Sequence, residues 1–268
     1  MFSKKDFQVW GKQNAVLFAA VMTKIDGRKD DDLLRTYGFR GFPSMAILDA
    51  DGAAITKKVP RDLYSMRNIV AAAPTYVKLK AEVDAGTDVD KGQWLMAQLG
   101  MGELGAAEAR EQLAGADLDD ATRATAEQML FVVEMQELSG TLRGRDVSAE
   151  AKTAACAAVY EAFKAGKRLP EGAAPEQFVD DMLIEAAKDN SDGEAFFFAY
   201  ERVKARFLER IEMMKDYLPR YREDIEKLEG DDQKVERAKS ALKRVGEFIA
   251  DAEKQVAELD ALAKKLKK

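Results

Sequence analysis

Few side chains in this 268-residue chain could do chemistry. Histidine is absent, which removes His-dependent nucleophiles, imidazole metal ligation and the usual near-neutral proton shuttle. Cys156 is the sole cysteine, so an internal disulfide, a CxxC redox pair and a cysteine zinc cluster are impossible within the chain. It lies in Ala154-Ala155-Cys156-Ala157-Ala158, a small-residue helix stripe that predicts a buried, inert thiol. Asp26, Asp30, Asp31 and Asp32 are the donor type for a hard cation, yet Arg28 and Lys29 lie among them and helix-start electrostatics explains the run. Asp49-Ala50-Asp51-Gly52 is superficially a calcium loop, but its twelfth position is Pro60 instead of a bidentate Glu and its glycine comes too early. No GxxxxGK[ST] or GxGxxG phosphate loop is present. Catalytic, cofactor-binding and metal-ligating residues are therefore expected to be none.

The elements around these residues follow from periodicity and breakers. Ser3 reads as the N-cap of a short amphipathic helix over residues 3 to 13, with Phe7 and Trp10 one turn apart. Ala15 to Met22 is a continuous apolar run of strand length, the pattern of a strand covered on both faces. Asp30 to Asp32 open a helix that Gly38 ends. Ser44 to Leu48 and Ala53 to Val59 flank Asp51-Gly52, which predicts a hairpin because glycine accepts the positive φ of the tight turn. Asp62 to Ala73 follows as a helix with Leu63, Met66, Ile69 and Val70 on one face.

Tyr37-Gly38-Phe39-Arg40-Gly41-Phe42-Pro43-Ser44, followed by Ala46-Ile47-Leu48-Asp49-Ala50-Asp51-Gly52, resembles the thioredoxin family's segment around its cis-proline. The likeness covers residues 2 to 73 and implies that Pro43 is that proline, with Ser44 in place of the commoner Thr. In active members this loop faces the CxxC and binds a partner's backbone as an added strand, so the resemblance makes Gly41, Phe42, Pro43 and Ser44 the partner-binding candidates. Phe2 to Phe7 resembles the tail of the family's first helix, so the CxxC and the central first strand would both fall before Met1. Loss of that strand would leave buried backbone groups unpaired, at about 1–3 kcal/mol each, unless another segment fills the gap.

From Pro74 onward nothing reads as a strand. Gln93 to Gly100, Gly102-Glu103-Leu104 and Ala106 to Ala109 are similar to one tetratricopeptide-type helix pair, with no second copy at a fixed spacing. Asp119 to Leu138, Ser148 to Ala165 and the stretch after Ala173-Ala174-Pro175 are further helices. Val235, Ala238, Leu242, Val245, Ile249, Ala252, Val256, Leu259, Ala263 and Leu266 form a heptad seam, and Met214, Leu218, Tyr221, Ile225 and Leu228 keep the same spacing before a Gly230-Asp231-Asp232 turn. A long antiparallel hairpin with a kink at Pro219 is expected, its seam pairing within one chain or between two.

The expected fold is α+β overall and mostly α: an incomplete thioredoxin-like α/β domain over 1–73, an irregular helical bundle over 74–190 and a long helical hairpin over 191–268. The net charge of −6 is unevenly placed, with 12 Lys and Arg against 8 Asp and no Glu in residues 1–73. That mild basic excess is too small for a nucleic-acid footprint. No apolar run reaches membrane-spanning length and the N-terminus lacks a signal-peptide layout, so the chain as given is expected to be soluble and cytoplasmic, or exported if a segment precedes Met1. The expected function is a redox-inactive protein-binding or scaffold module without cofactor, contacting a protein or peptide by strand addition near Pro43 and able to self-associate through 191–268. The alternative is a fragment of a thiol-disulfide oxidoreductase whose CxxC lies upstream of Met1. A third option is pure assembly driven by the hairpin.

Overall fold

In a computed structural model the described residues are 2, 4–19, 27, 32–144, 146–228 and 232–267. Among them the chain is mostly helical, with ten helices and a single two-stranded sheet. They form two compact units, one drawn from residues 1–144 and 167–176, the other from 145–166 and 177–268.

In the first unit, α1 (Lys5–Asn14) buries Phe7 and Gly11. Ser3 lies outside the described residues, and Lys4 occupies the N-cap without a side-chain bond. The strand expected at Ala15 to Met22 does not form over Ala15–Ala19, where Val16, Leu17 and Phe18 are 99, 54 and 70% exposed. An apolar run becomes a strand only where neighbours complete its hydrogen-bond ladder, and no described strand lies beside this one. Residues 20–22 lie outside the described residues. The short α2 (Leu33–Thr36) ends at Gly38, whose φ of 68° is the left-handed geometry that glycine accepts. β1 (Ile47–Leu48) and β2 (Ala54–Thr56) form the expected antiparallel hairpin, shorter than its apolar runs, with Ile47 opposite Thr56. In its turn Gly52 has φ 83°, and the Asp49 carboxylate accepts the Asp51 and Ala53 N–H groups at 3.0 and 2.8 Å.

The Asp62 carboxylate caps α3 (Leu63–Asp84) by accepting the Ser65 N–H at 2.7 Å. The helix does not stop at Ala73 but runs on through Pro74. Ile69 and Ala73 of α3 pack with Met101 of α4 (Lys91–Met101) against Ile47 and Ile55 of the hairpin, which fixes the sheet to the helices. Where α3 crosses α4, a Cβ on Gly100 would lie 2.5 Å from Ala72 Cβ, so glycine sets that close approach. Gly102, at φ 67°, turns the chain into α5 (Ala106–Gly115), giving the expected helix pair. Leu95, Leu99, Ala109 and Leu113 of that pair join Ala126 and Leu130 of α6 (Asp120–Thr141) in one core. Helix α6 extends to Thr141, past the expected end at Leu138 and through Gly140, because one glycine costs a helix only about 1 kcal/mol.

The second unit begins with α7 (Ala149–Lys164), and α8 (Glu176–Asn190) carries most of its next layer. Ser148 caps α7 as expected. Helices α9 (Gly193–Glu226) and α10 (Asp232–Leu266) then fold back on each other as the antiparallel hairpin. Tyr200 near the start of α9 donates to Asp260 near the end of α10 at 2.6 Å, and Lys215 meets Glu253 at 2.6 Å. The heptad seam is thus filled within the chain: Ile249, Ala252, Leu259 and Ala263 are buried and the other seam residues of α10 are partly buried. Helix α9 continues through Pro219. Tyr221 departs from the expected seam and stands 42% exposed, because Leu218 and Ile225 already face α10. Gly230 and Asp231, expected in the turn, lie outside the described residues.

Asp192 ties the root of α9 to α7. Its carboxylate accepts the Ala195 N–H at 3.1 Å, the Tyr160 hydroxyl at 2.8 Å and Lys164 Nζ at 3.3 Å. The Ala195 N–H first, then the phenol and the ammonium, hold this carboxyl below its ordinary value. Stability from a depressed carboxyl is complete above the unfolded pKa of about 3.9 and disappears as pH falls through the folded value. Replacing Asp192 with Ala is therefore expected to cost about 1 kcal/mol at pH 7, the worth of a helix cap. The difference from the parent should shrink as pH falls below the unfolded value of about 3.9 and be lost once the folded carboxyl is protonated, as read by urea unfolding at neutral and at acid pH. A gap that persists in acid would show that the carboxylate is not responsible.

Candidate functional site

The structure places Gly41, Phe42, Pro43 and Ser44 together in one exposed turn leading into β1. The Phe42–Pro43 peptide bond is cis. Phe42 is 67% exposed, an aromatic ring held in solvent. The turn is braced from both sides. Ser44 Oγ donates to Gly41 O at 2.5 Å, and Arg61, in the connection to α3, donates through Nη2 to Pro43 O at 3.0 Å. Tyr37, just past α2, donates its hydroxyl to Gly52 O at 2.8 Å and so couples the preceding helix to the hairpin tip. Neither Arg61 nor Tyr37 could be assigned these roles from spacing, since their acceptors are backbone carbonyls 18 and 15 residues away.

Among the described residues β1 has β2 on one side and no strand on the other. Its inner face is anchored, with Ile47 and Ile55 packed on Ile69, Ala73 and Met101. A rigidly mounted edge next to a protruding ring is the arrangement by which sheets accept an extended segment.

No family model, curated protein or solved structure matches this chain.

The chemistry available elsewhere is limited by where the polar groups point. Cys156 is half-buried with its Sγ 3.6 Å from Met182 Sδ, and burial pushes its thiol above the ordinary value, which lowers its thiolate fraction and reactivity. Of the acidic run, Asp26, Asp30 and Asp31 lie outside the described residues, while Asp32 pairs with Arg35 at 2.9 Å. Among the described residues no three or more Cys, Asp or Glu side chains are grouped to hold a metal. A groove of about 580 Å³ lies between α3, α4 and the start of α6. Two of its carboxylates are committed to helix caps: Asp90 accepts the Gln93 N–H at 2.7 Å, and Asp119 accepts the Thr122 N–H at 2.9 Å. A second cavity of about 360 Å³ is lined by Lys57, Tyr64, Asn68 and Gln136 over an apolar floor. Burial raises the Tyr64 phenol above its ordinary pKa, so it stays protonated at neutral pH. The Thr122 hydroxyl in the groove also donates to Asp119 Oδ2 at 2.7 Å, within the same helix cap. No described helix is long and apolar enough to cross a membrane.

Proposed function

We propose that the chain is a redox-inactive protein-binding module in which an incomplete thioredoxin-like domain over residues 1–73 presents the Gly41–Ser44 turn, and a helical scaffold supports it. The carrying observation is the exposed Phe42 beside an edge of β1 that has no strand partner among the described residues, the turn braced by Arg61 and the strand by the packing of the hairpin on α3 and α4. An extended segment of a partner protein adds to β1, its backbone supplying the ladder hydrogen bonds, while Phe42 takes an apolar side chain of that segment. With one half-buried cysteine and no histidine, the chain itself brings no dithiol chemistry to this encounter.

A photo-crosslinking phenylalanine analogue at position 42 tests this in the cells that make the protein. It is expected to trap a discrete protein adduct. The same analogue at Val77, also solvent-facing on α3 at 45% exposure, should not trap it. Arg61→Ala should reduce the yield several-fold by releasing the turn. No adduct at 42, or identical adducts at both positions, defeats the reading. Turnover of insulin disulfides by this chain would defeat the redox-inactive part.

A further inference from the structure

The groove of about 580 Å³ in the first unit has a chemistry that the reading at Pro43 leaves unused. Its walls are largely apolar, with Ala71 and Ala72 from α3, Met96 and Ala97 from α4, Met129 from α6 and Leu118 from the connection before α6. Glycine shapes one end of it. A Cβ on Gly92 would lie 2.6 Å from Leu118 Cδ2 and 3.1 Å from Asp117 O, so only glycine lets the α5–α6 connection lie this close to the start of α4. That approach brings Asp117 and the N-caps Asp90 and Asp119 to a single groove.

The charge of the groove has one sign. Among the described residues three Asp line it and no Lys, Arg or Glu does. The segments at that end, residues 87–93 and 116–122, carry five Asp and no Glu against one cation, Lys91. Arg123 follows directly but is turned to the end of α5, where it donates to Leu113 O and Ala116 O at 3.3 and 2.8 Å. The Thr122 N–H first, then its hydroxyl, hold the Asp119 carboxyl below its ordinary value, so it is ionised at neutral pH. Asp117 is exposed, and its side chain enters no hydrogen bond or ion pair among the described residues. The three carboxylates do not converge as ligands of one metal ion would.

Apolar walls with carboxylates at one end match a cation that carries a hydrocarbon body. We propose that this groove binds a small aliphatic amine, its ammonium beside the Asp117 carboxylate and its methylene chain against Met96, Met129 and Leu118. An ammonium is a compact, strongly hydrated charge with three donors, so it keeps water at the exposed acidic end while the chain displaces water from the walls. A carboxylate on the same chain would meet three like charges and is rejected. Methionine walls adapt to the width of the chain, because the thioether side chain is unbranched and flexible. The inference is independent of the reading at Pro43.

The test titrates n-hexylamine into the full chain labelled with ¹³C-methyl methionine, at neutral pH and low salt. The methyl signals of Met96 and Met129, assigned by Met→Leu substitution, are expected to shift and saturate in a range of about 0.1–10 mM, as suits so few ligand atoms. Hexan-1-ol should bind about fivefold or more weakly than the amine, and hexanoate should give no shift. Asp117→Asn should weaken the amine about threefold or more and leave the alcohol unchanged. Its circular dichroism should match the parent's, since Asp117 is exposed and caps no helix. Added salt should weaken the amine alone. Ala71→Phe, at an exposed wall position, should block amine and alcohol together. The proposal is overturned if amine and alcohol bind equally, if Asp117→Asn leaves the amine unaffected, or if the amine shifts Met182 and Met213 of the second unit as much as Met96 and Met129. An absence of any shift also overturns it.

Discussion

Truncating Phe196 to alanine is expected to destabilise the second unit by about 3–5 kcal/mol, read as a lower urea midpoint at unchanged slope. Phe196 is fully buried one turn into α9, with its ring edge-on to Phe197 and stacked on Tyr200, both at 5.2 Å between centroids. It lies beside Ala195 and Ala199, both 0% exposed, so close-packed neighbours hold the cavity open instead of collapsing into it. The adjoining Phe198 is 39% exposed and gives the internal comparison: its truncation should cost clearly less. Equal losses at the two positions would contradict the packing of this helix.

Removing both arginines that hold Asp180 is expected to be comparably severe. Asp180 is 1% exposed on α8. Its Oδ1 accepts Arg202 Nη2 at 2.6 Å, and its Oδ2 accepts Arg202 Nε at 3.1 Å and Arg206 Nη1 at 2.8 Å. The carboxylate is desolvated, whereas the arginines are 40 and 26% exposed, so the cost of separation falls mainly on Asp180. Arg202→Met with Arg206→Met leaves that charge buried and unpaired, for a loss of about 3–5 kcal/mol. Asp180→Leu alone should cost less, because the arginines can turn toward water. Added to the double variant, Asp180→Leu should recover most of the loss. Costs that simply add across this cycle, measured by urea unfolding, would show that the three groups are not coupled.

The helical part was legible because its signals are local. Asp119, Ser148 and Asp62 each sit three residues before the N–H they cap, and the three-and-four spacing from Val235 to Leu266 states which side of α10 is covered. The Asp51-Gly52 turn likewise carries its own geometry. Ala15 to Ala19 misled for the opposite reason: strand formation depends on a neighbour, and a run of apolar residues does not say whether one exists. The boundary expected after Ala73 rested on the change of charge composition there, but the Ile69–Ala73–Met101 packing carries α3 on through Pro74. At the candidate site, the turn of Gly41 to Ser44 could be located from its residue types, while its brace from Arg61 could not. A guanidinium reaching a backbone carbonyl leaves no trace in spacing. The Asp180 cluster escaped for the same reason, since an acidic residue in a helix reads as exposed until its partners on the next helix are known.

The hairpin is unevenly built along its length. The buried residues of α9 run from Ala195 to Ile211 and those of α10 from Ile249 to Ala263, all toward the root, whereas Leu218, Ile225, Val235 and Leu242 near the tip are only partly covered. With 34 residues at 1.5 Å each, α9 projects about 50 Å from Gly193 to Glu226. Packing along the arm is therefore graded, tightest toward the root, and its length sets a spacing: what engages the far end of α9 is held tens of ångströms from what engages its start.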